Sequence, residues 1–211
     1  MRNLKITLRV LLILSISMNF IGCDNDNNPT NNICEENYVT NAITTAFTTG
    51  TYYDDIPDLM DVEIQEYEIQ INANGEICSI GYEAPSAYLL GEYEMRITIN
   101  GSPAYDGVHM FSQNFLYQPL NNGVVIVVSS GDIIKVSRKT VALNSISETV
   151  GRVLVRSDWS EILFPITVGN VTFLSSRLYG ESGSWAAVFG NNVYSIEDKA
   201  IPYIGLGFKV Y

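Results

Sequence analysis

The single histidine, His109, lies in YDGVHMFS with Asp106 before it and Ser112 after it. Acid, imidazole and hydroxyl are the three parts of a nucleophilic relay. No G-x-S-x-G turn accompanies them, so nothing in the sequence presents Ser112 for attack. No H-E-x-x-H or Cys/His cluster offers a zinc site either. A lone histidine beside Phe111 on a strand reads as a structural or surface residue. Glycoside hydrolysis needs only two carboxylates at a suitable separation. Among 23 Asp and Glu no two stand out. The reading is therefore non-enzymatic, with no catalytic residue assigned, and a glycan-acting hydrolase is the least favoured alternative.

Asp54, Asp55, Asp58, Asp61 and Glu63 form an acidic run in YYDDIPDLMDVE. Their oxygens could serve Ca2+, although the run lacks the glycine and the spacing of an EF-hand loop. Solvated loop acids are the plainer reading, and no other cofactor is expected. The aromatics offer more. Thirteen Tyr and eight Phe are enough to fill a core, but the two Trp lie in polar, loop-like settings: Trp159 in RSDWSE and Trp185 in YGESGSWAAVFGNN. An aromatic ring pairs an apolar face with a polar edge, which suits sugar rings and protein partners. Trp185 with Tyr179 and Asn191 is the expected recognition surface at the loop end, and Trp159 is a further candidate.

Strands must position these residues. In EYEIQINANG, Tyr67, Ile69 and Ile71 alternate with Glu66, Glu68 and Gln70, the period of a half-buried strand. YEMRITING alternates likewise and ends in Asn100-Gly101, the strongest hairpin signal in the chain. ICSIGYE, HMFSQNFLY, GVVIVVSSG, DIIKVSRKT, GRVLVRS, VTFLSSRLYG and IPYIGLGFKVY read as further strands, with Gly, Asn, Pro or Ser at nearly every junction. Tyr38, Ala42, Thr45 and Ala46 could share a short helical face, but threonine is a poor helix former and an extended form is equally open. The expected fold is all-β: an antiparallel, jelly-roll-like β-sandwich over 63–211, preceded by a partly ordered arm over 34–62. In the last strand Ile204, Leu206, Phe208 and Val210 form the apolar row, as expected of a strand that covers a core and not of an outer-membrane barrel.

The first residues speak of location. Arg2, Lys5 and Arg9 precede an uncharged run from Val10 to Gly22, too short to span a bilayer. This is a secretory leader over 1–22. FIGC at its end resembles the lipobox of bacterial lipoproteins, although Phe20 replaces the usual Leu. The resemblance implies cleavage before Cys23 and a lipid on its sulfur. Residues 23–33 are rich in Asn and Asp and form a flexible tether. Acids just after the cysteine resemble the export signal of Bacteroidota surface lipoproteins. The implied location is the outer membrane, anchored by lipid, on either its periplasmic or its surface side.

The formal net charge is −11, and removing the leader makes it more negative. That field disfavours nucleic acid and anionic membrane surfaces. Neutral glycans and protein partners remain open. An exported chain can pair Cys34 with Cys78, though Cys78 can equally be a small buried hydrophobe. From Tyr67 to about Thr140, the run ICSIGY, YEMRITINGSPAYDG, FLYQPL and VVSSGDIIKVSRK resembles bacterial accessory β-sandwich modules of unknown function. That resemblance implies the fold and carries no site residue. The functional expectation is a lipid-anchored binding or adhesion module for a glycan or partner protein. A structural subunit of a surface complex is the alternative.

Overall fold

The computed structural model describes residues 33–50, 52–57, 63–84, 91–141, 152–180 and 195–211. The leader, Cys23, the tether ahead of Ile33, Asp58, Asp61, Trp185 and Asn191 lie outside these residues. The described elements begin with helix α1 (Tyr38–Ala46) and strands β1 (Tyr53–Ile56), β2 (Ile64–Ile71), β3 (Gly75–Tyr82) and β4 (Gly91–Ile99). Next come β5 (Ser102–Phe111), β6 (Leu116–Pro119), a 3-10 turn at Asn121–Gly123, β7 (Ile126–Val128) and β8 (Asp132–Thr140). Then follow β9 (Val153–Arg156), β10 (Ile166–Val168), β11 (Val171–Tyr179), β12 (Ser195–Glu197), β13 (Ala200–Pro202) and β14 (Gly205–Val210).

These strands form antiparallel sheets, as the alternation predicts. The largest runs β10-β11-β2-β8-β4-β5, with β12 also pairing to β11. A second runs β14-β3-β6, with β7 also on β3, and a third runs β1-β9-β13. In β2, Tyr67, Ile69 and Ile71 are buried. They meet Met95, Ile97, Ile134 and Val136 of the same sheet, and Ile77, Ile80, Leu206 and Phe208 of the second, in one core. Asn100 and Gly101 take φ of 50° and 79° between β4 and β5, the positive values a two-residue hairpin turn requires. Arg138 is fully buried on the inward side of β8. Its guanidinium lies 5.4 Å from the Tyr82 ring and 5.5 Å from the Tyr93 ring, and Nη1 donates to Thr140 Oγ1 at 2.8 Å.

The arm is part of this core. Residues 34–50 do not stand apart from 63–211: Val39, Ala42, Ile43 and Phe47 of the arm are buried in the main cluster. The helix turns inward the face carrying Val39 and Ile43, whereas Thr45 is exposed. Thr44 and Thr45 hydroxyls bond back to Thr40 O and Asn41 O. Burial, and not intrinsic propensity, accounts for such a helix. Phe47 ends it with its ring 5.3 Å from Tyr53 and 5.1 Å from Phe173. A disulfide joins Cys34 to Cys78 in β3, and Glu35 exchanges two backbone hydrogen bonds with Phe208 in β14. Gly207 makes this possible, because a Cβ there would stand 2.8 Å from Cys34 Sγ and 2.1 Å from Ser79 Oγ.

Two expected strands are broken. HMFSQNFLY stops at Phe111 and resumes as β6, because the chain crosses from the large sheet to the second sheet between them. IPYIGLGFKVY divides at Tyr203 and Ile204, with β13 in the third sheet and β14 in the second. Strand β9 is apolar on both faces. Leu154 enters the main core, while Val153 and Val155 join Leu178 and Ala200 in a smaller cluster against which Ile56 and Ile196 pack. That small cluster seats β12.

Candidate functional site

His109 is buried and closed. Tyr105 Oη donates to its Nε2 at 2.6 Å, and Nδ1–H donates to Gln118 Oε1 at 3.0 Å. Asn121 N–H donates in turn to Tyr105 Oη at 3.1 Å. The imidazole stacks on Phe111, centroids 5.7 Å apart and planes 17° apart. Asp106 pairs instead with Arg96 at 3.2 Å, and Ser112 hydrogen-bonds within its own turn to Asn114. Imidazole, acid and hydroxyl therefore make no relay. The network fastens β6 and the 3-10 turn onto β5: Gln118 and Asn121 amides donate to Met110 O and Val108 O.

The described members of the acidic run also separate. Asp54 and Asp55 are successive residues of a strand, so they point to opposite sides. Asp54 accepts from Ser157 Oγ at 2.9 Å. Asp55 takes Arg152 through Nε and Nη2 at 2.9 and 2.5 Å, and Glu63 pairs with Lys139 at 3.4 Å. No group of three or more His, Cys, Asp or Glu gathers for a metal among the described residues. The Arg152 guanidinium lies 4.1 Å over the Tyr203 ring, and its hydrogen bonds to Asp55 raise its pKa. Asp55 thus ties β1 to the chain entering β9.

Trp159 differs from these. It follows β9 in a turn where Asp158 Oδ1 accepts from Ser160 N–H at 3.1 Å and from Ser160 Oγ at 2.7 Å. Trp159 N–H donates to Arg156 O at 2.8 Å. The Ser160 hydrogen bonds, with Arg156 adding less, hold the Asp158 carboxyl down at about 2. In this turn Trp159 takes φ of 57°, a left-handed value uncommon for a bulky residue. Trp159 is 53% exposed. It walls a groove of about 510 Å³ with Glu161, Ser195, Ile196, Glu197, Lys199 and Ala200. Ile162 N–H donates to Asp198 O, which holds the Trp159 loop beside the β12–β13 turn. Leu163, 78% exposed, lines a shallower depression with Arg156, Ser160, Glu161 and Lys199.

A second cleft, about 200 Å³, opens on the outward face of the large sheet. Glu66, Glu68, Lys135, Arg177 and Glu197 line it. Lys135 Nζ stands 3.8 Å from Glu66 and 3.3 Å from Glu68. Tyr179 Oη donates to Glu66 Oε2 at 3.3 Å, and the Arg177 guanidinium lies 4.2 Å over the Tyr179 ring. Of the expected recognition residues, Trp159 and Tyr179 are therefore placed on either side of β12: Tyr179 pairs in register with Ser195, which lines the Trp159 groove. Glu66, Glu68, Lys135, Arg177, Glu161, Glu197 and Lys199 were not singled out by their sequence setting. Alternation placed Glu66 and Glu68 on the polar side of β2, but only pairing in register brings Lys135 and Arg177 to them. Comparison with family models, with curated proteins and with solved structures finds no match.

Proposed function

We propose that this chain is an exported, lipid-anchored binding domain whose ligand surface is the Trp159 groove, and that the ligand is a glycan. The observation that carries this reading is a tryptophan held exposed at positive φ by the Asp158 turn, on a wall of an amphipathic groove. Strained backbone concentrates at functional positions, and an exposed indole beside carboxylates and an amine suits a sugar's apolar face and hydroxyl edge. The leader over 1–22 and Cys23 support export and outer-membrane attachment through lipid, in the manner of a bacterial surface lipoprotein. No residue pattern supports an enzymatic role.

The test is a glycan array probed with the full chain in mild detergent, beside Trp159→Ala. Binding that this variant loses supports the reading. Binding that survives it overturns the assignment to Trp159. Mass spectrometry of the mature chain checks for diacylglycerol on Cys23.

A second reading, an assembly subunit, draws on β7. Val127 is exposed there and Val125 just ahead of it, and an outer strand with apolar side chains can accept another strand. Concentration-dependent association that Val127→Lys abolishes would favour it.

A further inference from the structure

The groove and the cleft are not separate. Glu197 lines both. In register, Arg177 lies across from Glu197 and from Glu66, and Glu68 lies across from Ser175 and Lys135. A polar stripe thus runs from the Trp159 groove over β12, β11 and β2 to β8, across the strands. Three inter-strand steps of ~4.8 Å make it about 14 Å long, more than a single sugar ring occupies.

We propose that the groove and the cleft are subsites of one elongated site, joined at Glu197, and that its ligand is an uncharged oligosaccharide of several units. This rests on the reading of Trp159 given above. The charges select the ligand class. The cations of the stripe already face carboxylates: Lys135 stands between Glu66 and Glu68, and Arg177 Nε donates to Ser195 Oγ at 2.9 Å and lies 3.7 Å from Glu197. The two depressions together hold Glu66, Glu68, Glu161, Glu197 and Asp198 against Lys135, Arg177 and Lys199. An anionic chain would have to separate these pairs and face the surplus carboxylates. A cationic one would compete with Lys135 for Glu66 and Glu68. Hydroxyl groups can donate to the carboxylates and accept from the cations while the pairs persist, and hydrogen bonds to charged groups are the stronger kind.

The experiment is titration calorimetry on the full chain in mild detergent. The probes are size-graded neutral glucans and mannans of one to six units, with a uronate oligomer as the anionic probe. The variants are Trp159→Ala, Glu197→Ala and Glu68→Ala. Glu197 is mostly exposed, so its loss spares the fold, and an unchanged melting temperature confirms this. Affinity is expected to rise with chain length to a plateau at several units. Glu197→Ala and Glu68→Ala are each expected to lower affinity for the longest chain by about tenfold, the loss of one charged hydrogen bond, and Glu68→Ala, which touches only the cleft, to leave the shortest binding chain less affected. Affinity that depends on Trp159 but not on length or on Glu68 overturns the joined site and leaves the Trp159 reading standing. Preference for the uronate overturns the ligand class. No binding to any neutral glycan overturns both.

Discussion

The corner around His109 and the turn around Trp159 both hold a residue whose chemistry invites a functional role. At the corner every polar atom of the imidazole is matched: Tyr105 and Gln118 take its two nitrogens, and Phe111 takes its face. At the turn Asp158 Oδ1 is matched by Ser160 and Arg156, but the large apolar residue beside it is exposed. A saturated buried group maintains shape. A constrained exposed one keeps contact capacity that the chain itself does not use, which is what the proposed reading draws on. The difference lies in which group is left over after the local hydrogen bonds are made.

This contrast can be broken by measurement. The largest expected effect is that of His109→Ala, which leaves a cavity and strands the Tyr105 hydroxyl and Gln118. It should cost roughly 2–4 kcal/mol in chemical denaturation, with ligand affinity of the folded protein unchanged. Tyr105→Phe removes one buried hydroxyl from both His109 and Asn121 and should cost about 1–3 kcal/mol by the same assay. Trp159→Gly is the opposite case. It relieves a left-handed side chain that costs ~1–2 kcal/mol, so stability should fall by no more than about 1 kcal/mol, or rise, while glycan binding disappears. A loss of stability as large as that of His109→Ala would mean that Trp159 is a packing residue and would erase the contrast.

The smallest effect is electrostatic. The Asp158 carboxyl is held at about 2 by Ser160 and Arg156, below the ~3.9 of a free aspartate. A depressed folded value means the turn's contribution is fully present above the unfolded value and is lost as pH falls through about 2. Carbon NMR of the carboxyl should show one titration near that pH, with no change from pH 5 to 8. Ser160→Ala should move it upward toward the free value. An Asp158 that titrates normally in the intact protein would mean that the Ser160 hydrogen bonds to its carboxyl are not kept in solution.

Period-2 alternation made β2, β4 and β8 readable, because one face of each meets the core and the other is polar for most of its length. Asn100-Gly101 was readable for a similar reason, since few residues accept its positive φ. Helix α1 was not, because threonine-rich helices owe their form to tertiary burial, here of Val39, Ala42, Ile43 and Phe47. Strands β10 and β12, three residues each and read in no expected strand, are too short to show a period. Trp159 was visible as an aromatic in a polar run. Its partners Glu197 and Lys199 were not, because their proximity depends on β12 resting on the cluster of Val153, Val155 and Leu178.

The bridge between Cys34 and Cys78 has a mechanical consequence. Tension drawn along the chain ahead of Ile33 meets Cys34 almost at once and crosses the sulfurs into β3, an inner strand of its sheet. The intervening residues, including α1, β1 and β2, lie off the covalent load path. A pull could then be borne without unwinding the helix, and reducing the bridge would leave only the Glu35–Phe208 hydrogen bonds between the pull and the helix.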